Sequence, residues 1–551
     1  MQAHIQKKKR NSPAPKYIFI TGGVMSGLGK GVTSASLAKL LMLAGFTVIC
    51  AKIDPYLNVD AGTMNPVTHG EVFVTDDGGE MDMDLGTYER FLDKGLSQEH
   101  NITTGQIYSA VIKAERKGKY LGDCVQIIPH ITDEIIKRIR NLHESVRPDI
   151  VLVELGGTVG DIEGLPFLEA FRQIKFEDGD NQSLFVHVTL IPQIGDVGEQ
   201  KTKPTQHSVQ ELRRIGIQPD IIIARSETEV TESVKKKISL FTNVDWRNVI
   251  SNPDVESIYN VPEVLGNQGI VQRVTQILEL RKSTIRWGSW PTISSSFVNA
   301  TKELRIGMVG KYVSLADSYV SVNHALAHAS AYLGYRIKLE LLDAEKFESE
   351  PKLLDTLSNY NGIVVPGGFG LRAAEGIIRV ANHARIKRIP FLGLCFGFQL
   401  AVISFARNVC GLREANSTEL DAAVKHPVVD LMPDQKGIDK LGATMNLGGH
   451  NINIVEKTFA YSMYGKKKIR QRHRHRYEIN SNYWDILRSK GLILSGFSED
   501  GKKVEIIELD NHAFYLATQY HPEFLSRPGK PEPSFLAFVK SSISNAGSRD
   551  A

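Results

Sequence analysis

The chain has 551 residues, a formal net charge of +4, 42% hydrophobic residues and 23% charged residues. That length exceeds what one hydrophobic core supports and predicts two domains of roughly 250 residues each. The composition is ordinary for a soluble globular protein. No apolar run approaches the ~18 residues that span a bilayer. So small a net charge does not by itself indicate a polyanionic partner.

The N-terminal residues 1–15 are predicted to form a disordered basic tail. They carry four consecutive basic residues at 7–10 but lack the apolar segment of a signal peptide. A nucleic-acid or targeting role for these charges is the lesser alternative. The four cysteines, at positions 50, 124, 395 and 410, show no metal-ligand spacing. A reducing compartment is therefore expected, in which a special cysteine would be reactive rather than structural.

The most informative stretch of the first half is TGGVMSGLGKG at 21–31, which follows a short apolar segment and precedes a helix-forming one. A strand, a glycine-rich turn, a lysine and a helix N-terminus together are typical of a loop that binds nucleotide phosphates. Val24 and Gly31 depart from the usual pattern, and Gly31 lacks the hydroxyl that would bind a metal ion. A turn that uses glycine only for steric reasons is the alternative, and Lys30 argues against it.

Alternating strands and helices follow the loop and predict a parallel sheet with its ligands at the carboxyl ends of the strands. Glu80, Asp82 and Asp84 are spaced two apart, so that from a strand or a loop they could bind a hard cation, while a solvated acidic face is an equal alternative. An apolar strand ends in Glu154, as does the strand of a P-loop enzyme whose acid holds Mg²⁺. Asp84 and Glu154 would then replace the ligand that is missing at Gly31.

A second candidate phosphate site is the stretch KTKPTQHS at 201–208. Its two lysines flank hydroxyl and amide groups, and Pro204 is predicted to keep the segment in a loop. A solvated basic loop is the alternative interpretation.

A connector rich in serine, proline and glycine at 282–302 is predicted to separate the domains. Beyond it, GLCFG at 393–397 has the spacing of a nucleophile elbow, and the helix after Cys395 would favour its thiolate. A buried structural cysteine is the alternative. His521 and Glu523, two residues apart and predicted to lie on a strand, complete a nucleophile, base and acid set for acyl transfer.

The basic run at 466–476 contains a His-x-His pair. Nucleic-acid binding and metal ligation are both disfavoured there, because no interleaved aromatic residues and no acidic or thiol co-ligands accompany it.

Several longer motifs resemble those of the CTP synthase family, in order and over essentially the whole folded chain. They are TGGVMSGLGKG at 21–31, KIDPY at 52–56, GGTVGDIE at 156–163, KTKPTQHS at 201–208, PGGFG at 366–370, EANSTE at 414–419, RHRHRYE at 472–478 and HPE at 521–523. The resemblance implies an α/β protein of two doubly wound domains. The N-terminal one is a P-loop domain similar to dethiobiotin synthetase, and the C-terminal one is a class I glutamine amidotransferase domain.

The implied reaction is the ATP-dependent amination of UTP to CTP. ATP phosphorylates the uracil O4, and ammonia from glutamine displaces the phosphate. Mg²⁺ is the implied cofactor, GTP the implied activator acting near residues 370–372, and CTP the implied feedback inhibitor. A catalytically silent, nucleotide-sensing or filament-forming scaffold of the same fold is the alternative, and the intact Cys395, His521, Lys30 and Lys52 argue against it.

The resemblance assigns site residues in the N-terminal domain, and two nucleotides share the glycine-rich loop. Mg²⁺ is assigned to Asp84 and Glu154. The ATP-binding positions are Ser26, Gly27, Leu28, Gly29, Lys30, Gly31, Lys52 and Asp84. The positions for UTP, or for CTP as inhibitor, are Ser26, Asp161, Ile162, Glu163, Lys201, Thr202, Lys203, Pro204, Thr205, Gln206 and Lys237.

In the C-terminal domain the resemblance assigns Cys395, His521 and Glu523 as the catalytic triad. The oxyanion would be stabilised by backbone N–H groups of Gly368 and Phe396. The polar ends of glutamine would be held by Gln399, Glu419 and Arg476.

The implied division is a synthetase domain at 16–281, a linker at 282–302 and an amidotransferase domain at 303–545. The expected protein is cytoplasmic and binds nucleotides and glutamine but neither nucleic acid nor membrane. A homotetramer, built as a dimer of dimers, and filaments are expected from the family alone.

Overall fold

The computed structural model describes residues 15–144, 146–194, 198–313, 316–432 and 445–550. The predicted basic tail, apart from Pro15, lies outside the described residues. The chain divides into two compact units, one of residues 1–59 and 99–288 and the other of residues 60–98 and 289–551. The segment 60–98, which the predicted division assigns to the first domain, thus groups with the second unit.

The first unit contains a seven-stranded parallel sheet. Its strands are runs of apolar residues buried on both faces, which is the pattern of a parallel sheet covered by helices. Phe19 stacks on Phe171 with ring centroids 4.2 Å apart in the core beneath one face. In spatial order the strands are Val249–Pro253, Ile221–Ser226, Ser183–Leu190, Lys16–Gly22, Ile150–Leu155, Val48–Asp54 and Asn101–Thr103.

The main helices of the first unit alternate with these strands, so the predicted doubly wound arrangement is confirmed. A two-stranded hairpin of Gln193–Ile194 and Glu199–Gln200 precedes the fifth helix. The helices are Lys30–Leu43, Thr104–Arg116, Thr132–Asn141, Leu165–Asp178, Lys203–Arg214, Glu232–Thr242, Val261–Asn267 and Ile270–Ile277.

The second unit contains a nine-stranded sheet whose first five strands are parallel and whose remaining strands pair antiparallel. In spatial order the strands are Tyr335–Asp343, Lys302–Gly310, Gly362–Val365, Phe391–Leu394, Tyr515–Thr518, Val504–Glu508, Ile493–Ser498, Asn446–Ile454 and Lys468–His475. A three-stranded sheet is formed by Ala415–Ser417, His426–Leu431 and Tyr477–Ile479, and a short hairpin by Phe73–Val74 and Glu80–Met81.

Helices cover the sheet of the second unit, and cores lie on both of its faces. None of the helices in the described parts of either unit is long and apolar enough to cross a bilayer. The second unit's helices are Pro66–His69, Met83–Leu92, Trp290–Ser296, Val320–Tyr332, Ala344–Ser349, Ala374–Lys387, Phe396–Asn408, Phe459–Tyr464, Trp484–Ser489 and Pro533–Asp550.

Two local predictions are wrong. The segment beginning at Lys203 is a helix, Lys203–Arg214, with Pro204 in its first turn. Proline is tolerated there because a first-turn N–H has no partner within the helix. His521 and Glu523 are not on a strand, since the strand Tyr515–Thr518 ends before them and Glu523 lies in the 3₁₀ turn Pro522–Leu525. A helix, Trp290–Ser296, also lies inside the predicted linker.

Candidate functional site

The glycine-rich loop of the first unit has the backbone of a strand-to-helix turn. Gly27 and Gly29 have φ values of 76° and 77°, and Val24 has a φ of 78°. The helix Lys30–Leu43 begins directly after Gly29, so its first N–H groups lie at the carboxyl end of the sheet. Ser26 and Gly27 are exposed, whereas Leu28 and Lys30 are buried.

Two buried lysines lie in and beside this loop. Lys30 Nζ donates to the carbonyl of Gly157 at 2.7 Å. Lys52 Nζ lies 3.7 Å from Glu154 Oε1 and 3.9 Å from Asp54 Oδ1, because Lys52 and Glu154 pair in register on neighbouring strands. The other oxygen of Glu154 accepts from Ser34 Oγ at 2.6 Å. The strand ends therefore place the ammonium group of Lys52 beside the fully buried carboxylate of Glu154.

A buried histidine supports the base of the loop. His187 contacts Thr21 Oγ1 through Nδ1 at 2.9 Å and Ser208 Oγ through Nε2 at 2.6 Å. Burial and the nearby positive charge of Lys30 lower the pKa of His187 to about 3. A neutral ring thus joins the loop strand to the helix that starts at Lys203.

The positions assigned to the pyrimidine nucleotide are distributed over four segments of the first unit, namely the loop that carries Ser26, the stretches 161–163 and 201–206, and the helix that carries Lys237. In the stretch 161–163, Asp161 accepts from Thr158 N at 2.7 Å, while Ile162 and Glu163 are exposed. In the stretch 201–206, Lys201 pairs with Glu199 at 2.6 Å and Gln206 Nε2 donates to Thr202 Oγ1 at 2.9 Å.

The other members of this set are placed as follows: Lys203 Nζ lies 5.6 Å above the Phe241 ring, Pro204 is in the first helical turn, Thr205 Oγ1 donates to Leu190 O at 3.1 Å, and Lys237 is exposed on the helix Glu232–Thr242.

The three acidic residues at 80–84, which lie in the second unit, do not share one strand or loop, so that prediction is wrong. Glu80 is in the hairpin, Asp82 caps the next helix by accepting from Asp84 N at 2.8 Å, and Asp84 is in the first turn of that helix. Glu80 accepts from Arg474 Nε at 2.8 Å. Acidic residues at a helix start complement its dipole, which accounts for two of the three.

The nucleophile elbow is present in the second unit. Cys395 has φ 50° and ψ −95° and directly precedes the helix Phe396–Asn408. A Cβ on Gly397 would lie 2.4 Å from the carbonyl oxygen of Val365, and one on Gly393 would lie 2.9 Å from that of Gly397. Both flanking glycines are therefore required sterically, and the strained backbone holds Cys395 at the turn.

Cys395, His521 and Glu523 line a common cavity of about 70 Å³. His521 Nδ1 lies 2.7 Å from Glu523 Oε1, and both residues are buried. His521 Nε2 has no partner of hydrogen-bond geometry among the described residues. Burial opposes a charged imidazolium, but the negative charges of Glu523 and Cys395 outweigh burial and raise the pKa of His521 to about 10. Glu523 thus holds the His521 ring at the same cavity as Cys395.

One wall of this cavity is formed by the PGGFG segment. A Cβ on Gly367 would lie 3.0 Å from His521 Cε1, and one on Gly368 would lie 3.7 Å from the Phe396 ring. Gly368 and the first residue of the elbow helix are thus neighbours, as the predicted pair of oxyanion donors requires. Glu419 Oε1 accepts from Gly370 N at 2.6 Å, and burial raises the pKa of Glu419.

Lys311 also belongs to this wall, although the sequence analysis did not identify it. Its Nζ lies 3.9 Å from the Phe396 ring centroid and donates to Phe369 O at 2.9 Å. Burial lowers the pKa of Lys311 to about 8.

The remaining residues assigned to glutamine are Gln399 and Arg476. Gln399 is buried on the elbow helix and donates to Tyr477 O at 3.0 Å. Arg476 is half-buried, directly after the strand Lys468–His475, and its carbonyl accepts from Met432 N at 3.0 Å. Gln519 contacts the sulfur of Cys395 and was missed, although it belongs to the motif that contains His521.

The basic run forms the edge strand Lys468–His475, whose alternate side chains have different partners. Its arginines pair with acidic residues of the 60–98 segment: Arg470 with Asp76, Arg472 with Glu89 and Arg474 with Glu80. Its histidines are buried on the other side, where His473 Nε2 lies 2.9 Å from Glu505 Oε2.

His473, His475 and Glu505 form a group of metal-ligand type. An acidic co-ligand therefore does accompany the His-x-His pair, contrary to the prediction. The nitrogens of both rings already have hydrogen-bond partners, namely Gln471 O, Glu505, Asn446 and Tyr477 O.

Two family descriptions match the chain, "CTP synthase N-terminus" over residues 16–280 and "Glutamine amidotransferase class-I" over residues 314–541. The CTP synthase of Thermococcus gammatolerans is 53% identical over 526 residues, which cover 95% of this chain and 98% of that protein. Those of Pyrococcus furiosus and Methanocaldococcus jannaschii are each 52% identical and cover 95% and 96% of this chain, with 97% and 98% of their own lengths matched. The chain belongs to the CTP synthase family.

Membership of the CTP synthase family confirms the resemblance and the two-domain α/β fold. The protein is accordingly a ligase that aminates UTP to CTP with glutamine as amide donor, and ATP, UTP and glutamine are its substrates. A solved structure of the glutaminase domain of Trypanosoma brucei CTPS with bound acivicin is 37% identical, covers 44% of this chain and 94% of its own, and has a TM-score of 0.42.

Proposed function

We propose that the CTP synthase reaction divides into two chemical steps carried by the residues assigned above. Cys395 attacks the side-chain amide of glutamine and releases ammonia. The groups around the glycine-rich loop bind ATP and direct its γ-phosphoryl group to O4 of UTP. The phosphorylated O4 is then a leaving group that ammonia displaces. The division into a synthetase domain at 16–281, a linker at 282–302 and an amidotransferase domain at 303–545 is part of this proposal.

The observation that carries the glutaminase step is the joint position of Cys395, His521 and Glu523 around one cavity. Glu523 accepts from His521 Nδ1 and so fixes the ring with Nε2 towards the reaction. The imidazolium stabilises the thiolate and later protonates the departing ammonia. Backbone N–H groups of Gly368 and Phe396 stabilise the oxyanion that forms on the glutamine carbonyl.

The glutamine substrate is proposed to be held by side chains around the same cavity. Arg476 offers a guanidinium for the α-carboxylate, and Glu419 offers a carboxylate for the α-amino group. Gln399 contributes from the elbow helix.

In the synthetase step, Lys30 and the N–H groups at the helix start are proposed to bind the ATP phosphates. Lys52 is proposed to assist phosphoryl transfer, because its ammonium group is held beside the loop by Glu154 and Asp54. The pyrimidine triphosphate is proposed to bind through Ser26, 161–163, 201–206 and Lys237.

Mg²⁺ is proposed as the cofactor of this step. The fully buried carboxylate of Glu154 at a strand end fits such an ion, which prefers hard oxygen ligands. The family resemblance assigns the second carboxylate to Asp84. When bound, the ion neutralises charge that develops on the transferred phosphoryl group.

The decisive experiment replaces Cys395 by alanine and follows UTP conversion by absorbance with ATP and Mg²⁺. Glutamine-driven formation of CTP should disappear, while formation driven by added ammonia persists because the synthetase step does not use the thiol. Persistence of the glutamine-driven reaction would refute the role of Cys395, and loss of both reactions would refute the separation into two steps.

GTP activation, inhibition by CTP, a cytoplasmic location, a homotetramer and filaments rest on the family resemblance. The region proposed for GTP is 370–372, where Arg372 donates to Lys311 O at 2.9 Å and pairs with Glu345. Titrating GTP into the glutamine-driven and ammonia-driven assays tests this proposal, since an activator of glutaminase should raise only the former. Light scattering with and without UTP and ATP tests the tetramer.

A further inference from the structure

The carboxamide of Gln519 lies against the sulfur of the elbow cysteine. Gln519 Nε2 donates to Cys395 Sγ at 3.7 Å. Gln519 is 1% exposed and Cys395 is 3% exposed, so water does not compete for this contact. The backbone fixes both ends, since Cys395 N donates to Thr518 O at 2.7 Å and Gln519 N donates to Glu505 O at 2.9 Å.

The orientation of this carboxamide is determined by a second buried glutamine. Gln399 Nε2 donates to Tyr477 O at 3.0 Å, and a backbone carbonyl can only accept, so the NH₂ group of Gln399 faces that side. The same Nε2 donates to Gln519 Oε1 at 3.3 Å. With its oxygen occupied as acceptor, Gln519 must present its NH₂ group to the sulfur. Both amide hydrogens of Gln399 are then used, and its own oxygen is left to accept from a substrate.

A further polar contact of the sulfur acts in the opposite sense. Cys395 Sγ donates to the carbonyl of Arg474 at 3.6 Å, which only a protonated thiol can do. When the thiol ionises, that donor is lost and a carbonyl dipole faces the negative sulfur. An N–H donor on the sulfur favours the ionised form instead. The titratable or charged side chains that line or adjoin the same cavity are His521, Glu523, Glu71, Tyr312, Tyr319, Arg474 and Lys311.

We propose that Gln519 is a further catalytic residue of the glutaminase step, which donates a hydrogen bond to the Cys395 thiolate. Gln399 is the positioning residue that orients its amide. The inference rests on the proposed role of Cys395 as nucleophile. This role explains why the side chain of Gln519, the first residue of the stretch QYHPEF, is fully buried and yet directed at the sulfur of Cys395.

The test measures the reactivity of Cys395 itself, in the full chain and without glutamine. Iodoacetamide is added at pH 7, and alkylation of the peptide that contains Cys395 is followed by mass spectrometry, with the exposed Cys124 as internal reference. Because the thiolate is the reacting form, Q519L should lower the rate about tenfold. Q519E should lower it further, since its carboxylate has no donor and adds negative charge beside the sulfur.

The matched control is Q471L. Gln471 is also a buried glutamine of the second unit, but its Nε2 donates to Glu532 at 3.3 Å and it does not touch Cys395. A rate within twofold of the wild type is expected for this variant. A fall as large as that of Q519L would show a general loosening of the unit and overturn the inference.

The positioning role of Gln399 is tested by Q399E in the same assay. A carboxylate at 399 cannot donate to Gln519 Oε1 and would attract the NH₂ group of Gln519 away from the sulfur, so the rate should again fall about tenfold. Since no glutamine is present, an effect on substrate binding does not contribute. If the variants of Gln519 do not fold, Q399E decides the question alone.

A wild-type alkylation rate in folded Q519L or in Q399E would overturn the inference and leave the role of Cys395 intact. Glutamine-driven activity in C395S would instead overturn the proposed function, whatever the alkylation rates are. The two failures are therefore distinguishable.

Discussion

Replacing Glu523 by glutamine would remove the negative charge beside His521 while keeping the length of the side chain. The charged atoms are in direct contact, with 2.7 Å between His521 Nδ1 and Glu523 Oε1, and the pair is buried. Two unit charges about 4 Å apart interact by roughly 4 kcal/mol at an effective dielectric constant of 20, which corresponds to about 3 in pKa. The pKa of His521, which is about 10 in the native protein, should therefore fall towards the ordinary value of a histidine.

The catalytic consequence follows from the protonation state of His521. At pH 8 the wild-type ring is an imidazolium, whereas most of the variant's rings would be neutral. Glutamine-driven kcat/KM of E523Q should fall about 10²- to 10³-fold, as expected when a general acid–base group loses its function. Ammonia-driven CTP formation should persist. The wild-type glutaminase should lose its imidazolium only as the pH approaches 10, and E523Q near neutrality.

The same charge pair predicts a pH-dependent difference in stability. The folded-state pKa of His521 is raised above its unfolded value, so its contribution is fully present below about pH 6.5 and is lost as the pH rises through 10. The difference in free energy of unfolding between the wild type and E523Q should shrink across that window. If the pH profiles of kcat/KM for the wild type and E523Q had the same shape from pH 6 to 10, the argument that Glu523 raises the pKa of His521 would be refuted.

Two further predictions concern other buried charges. Lys30→Ala should stop both the glutamine-driven and the ammonia-driven reaction, because it removes a phosphate-binding cation that serves the step common to both; retained ammonia-driven activity would contradict the role of the loop. Glu89→Gln should lower the free energy of unfolding by about 3–5 kcal/mol, because Arg472 and Arg527 donate to that fully buried carboxylate at 3.0 and 2.6 Å and would lose their partner. Calorimetry should then show a lower Tm. The control Asp93→Asn loses only an exposed pair with Lys530, so its free energy of unfolding should lie within about 1 kcal/mol of the wild-type value. Equal losses of stability in the two variants would refute the assigned burial effect.

The local motifs of the sequence singled out residues of both candidate sites, because the backbones of these motifs restrict which residues can occupy them. A Cβ on Gly393 would meet the carbonyl of Gly397 within the elbow, and one on Gly397 would meet that of Val365 on the neighbouring strand. Only glycine fits on either side of Cys395, so the spacing was readable from the chain. The glycine-rich loop before Lys30 was readable for a different reason, since Gly27 and Gly29 have φ values of 76° and 77°, a conformation that favours glycine. The family motifs added the substrates and the reaction.

Other predictions failed because a pattern permits more than one backbone. Pro204 is compatible with a loop or with the first turn of a helix, and the helix forms because its buried face packs in the first unit. The alternation of Glu80, Asp82 and Asp84 is equally compatible with a strand, although Asp82 caps a helix. Short-range spacing does not choose between such states, and packing does.

The sequence by itself predicted the fold class, and it singled out Cys395 and the glycine-rich loop as candidate site residues, since these signals depend on residues close together in the chain. The tertiary structure alone decided which carboxylates meet the arginines of the edge strand, why Glu505 lies beside His473, and that the amide of Gln519 faces the sulfur. These contacts join residues tens to hundreds of positions apart, and their strength comes from burial, which no local pattern records.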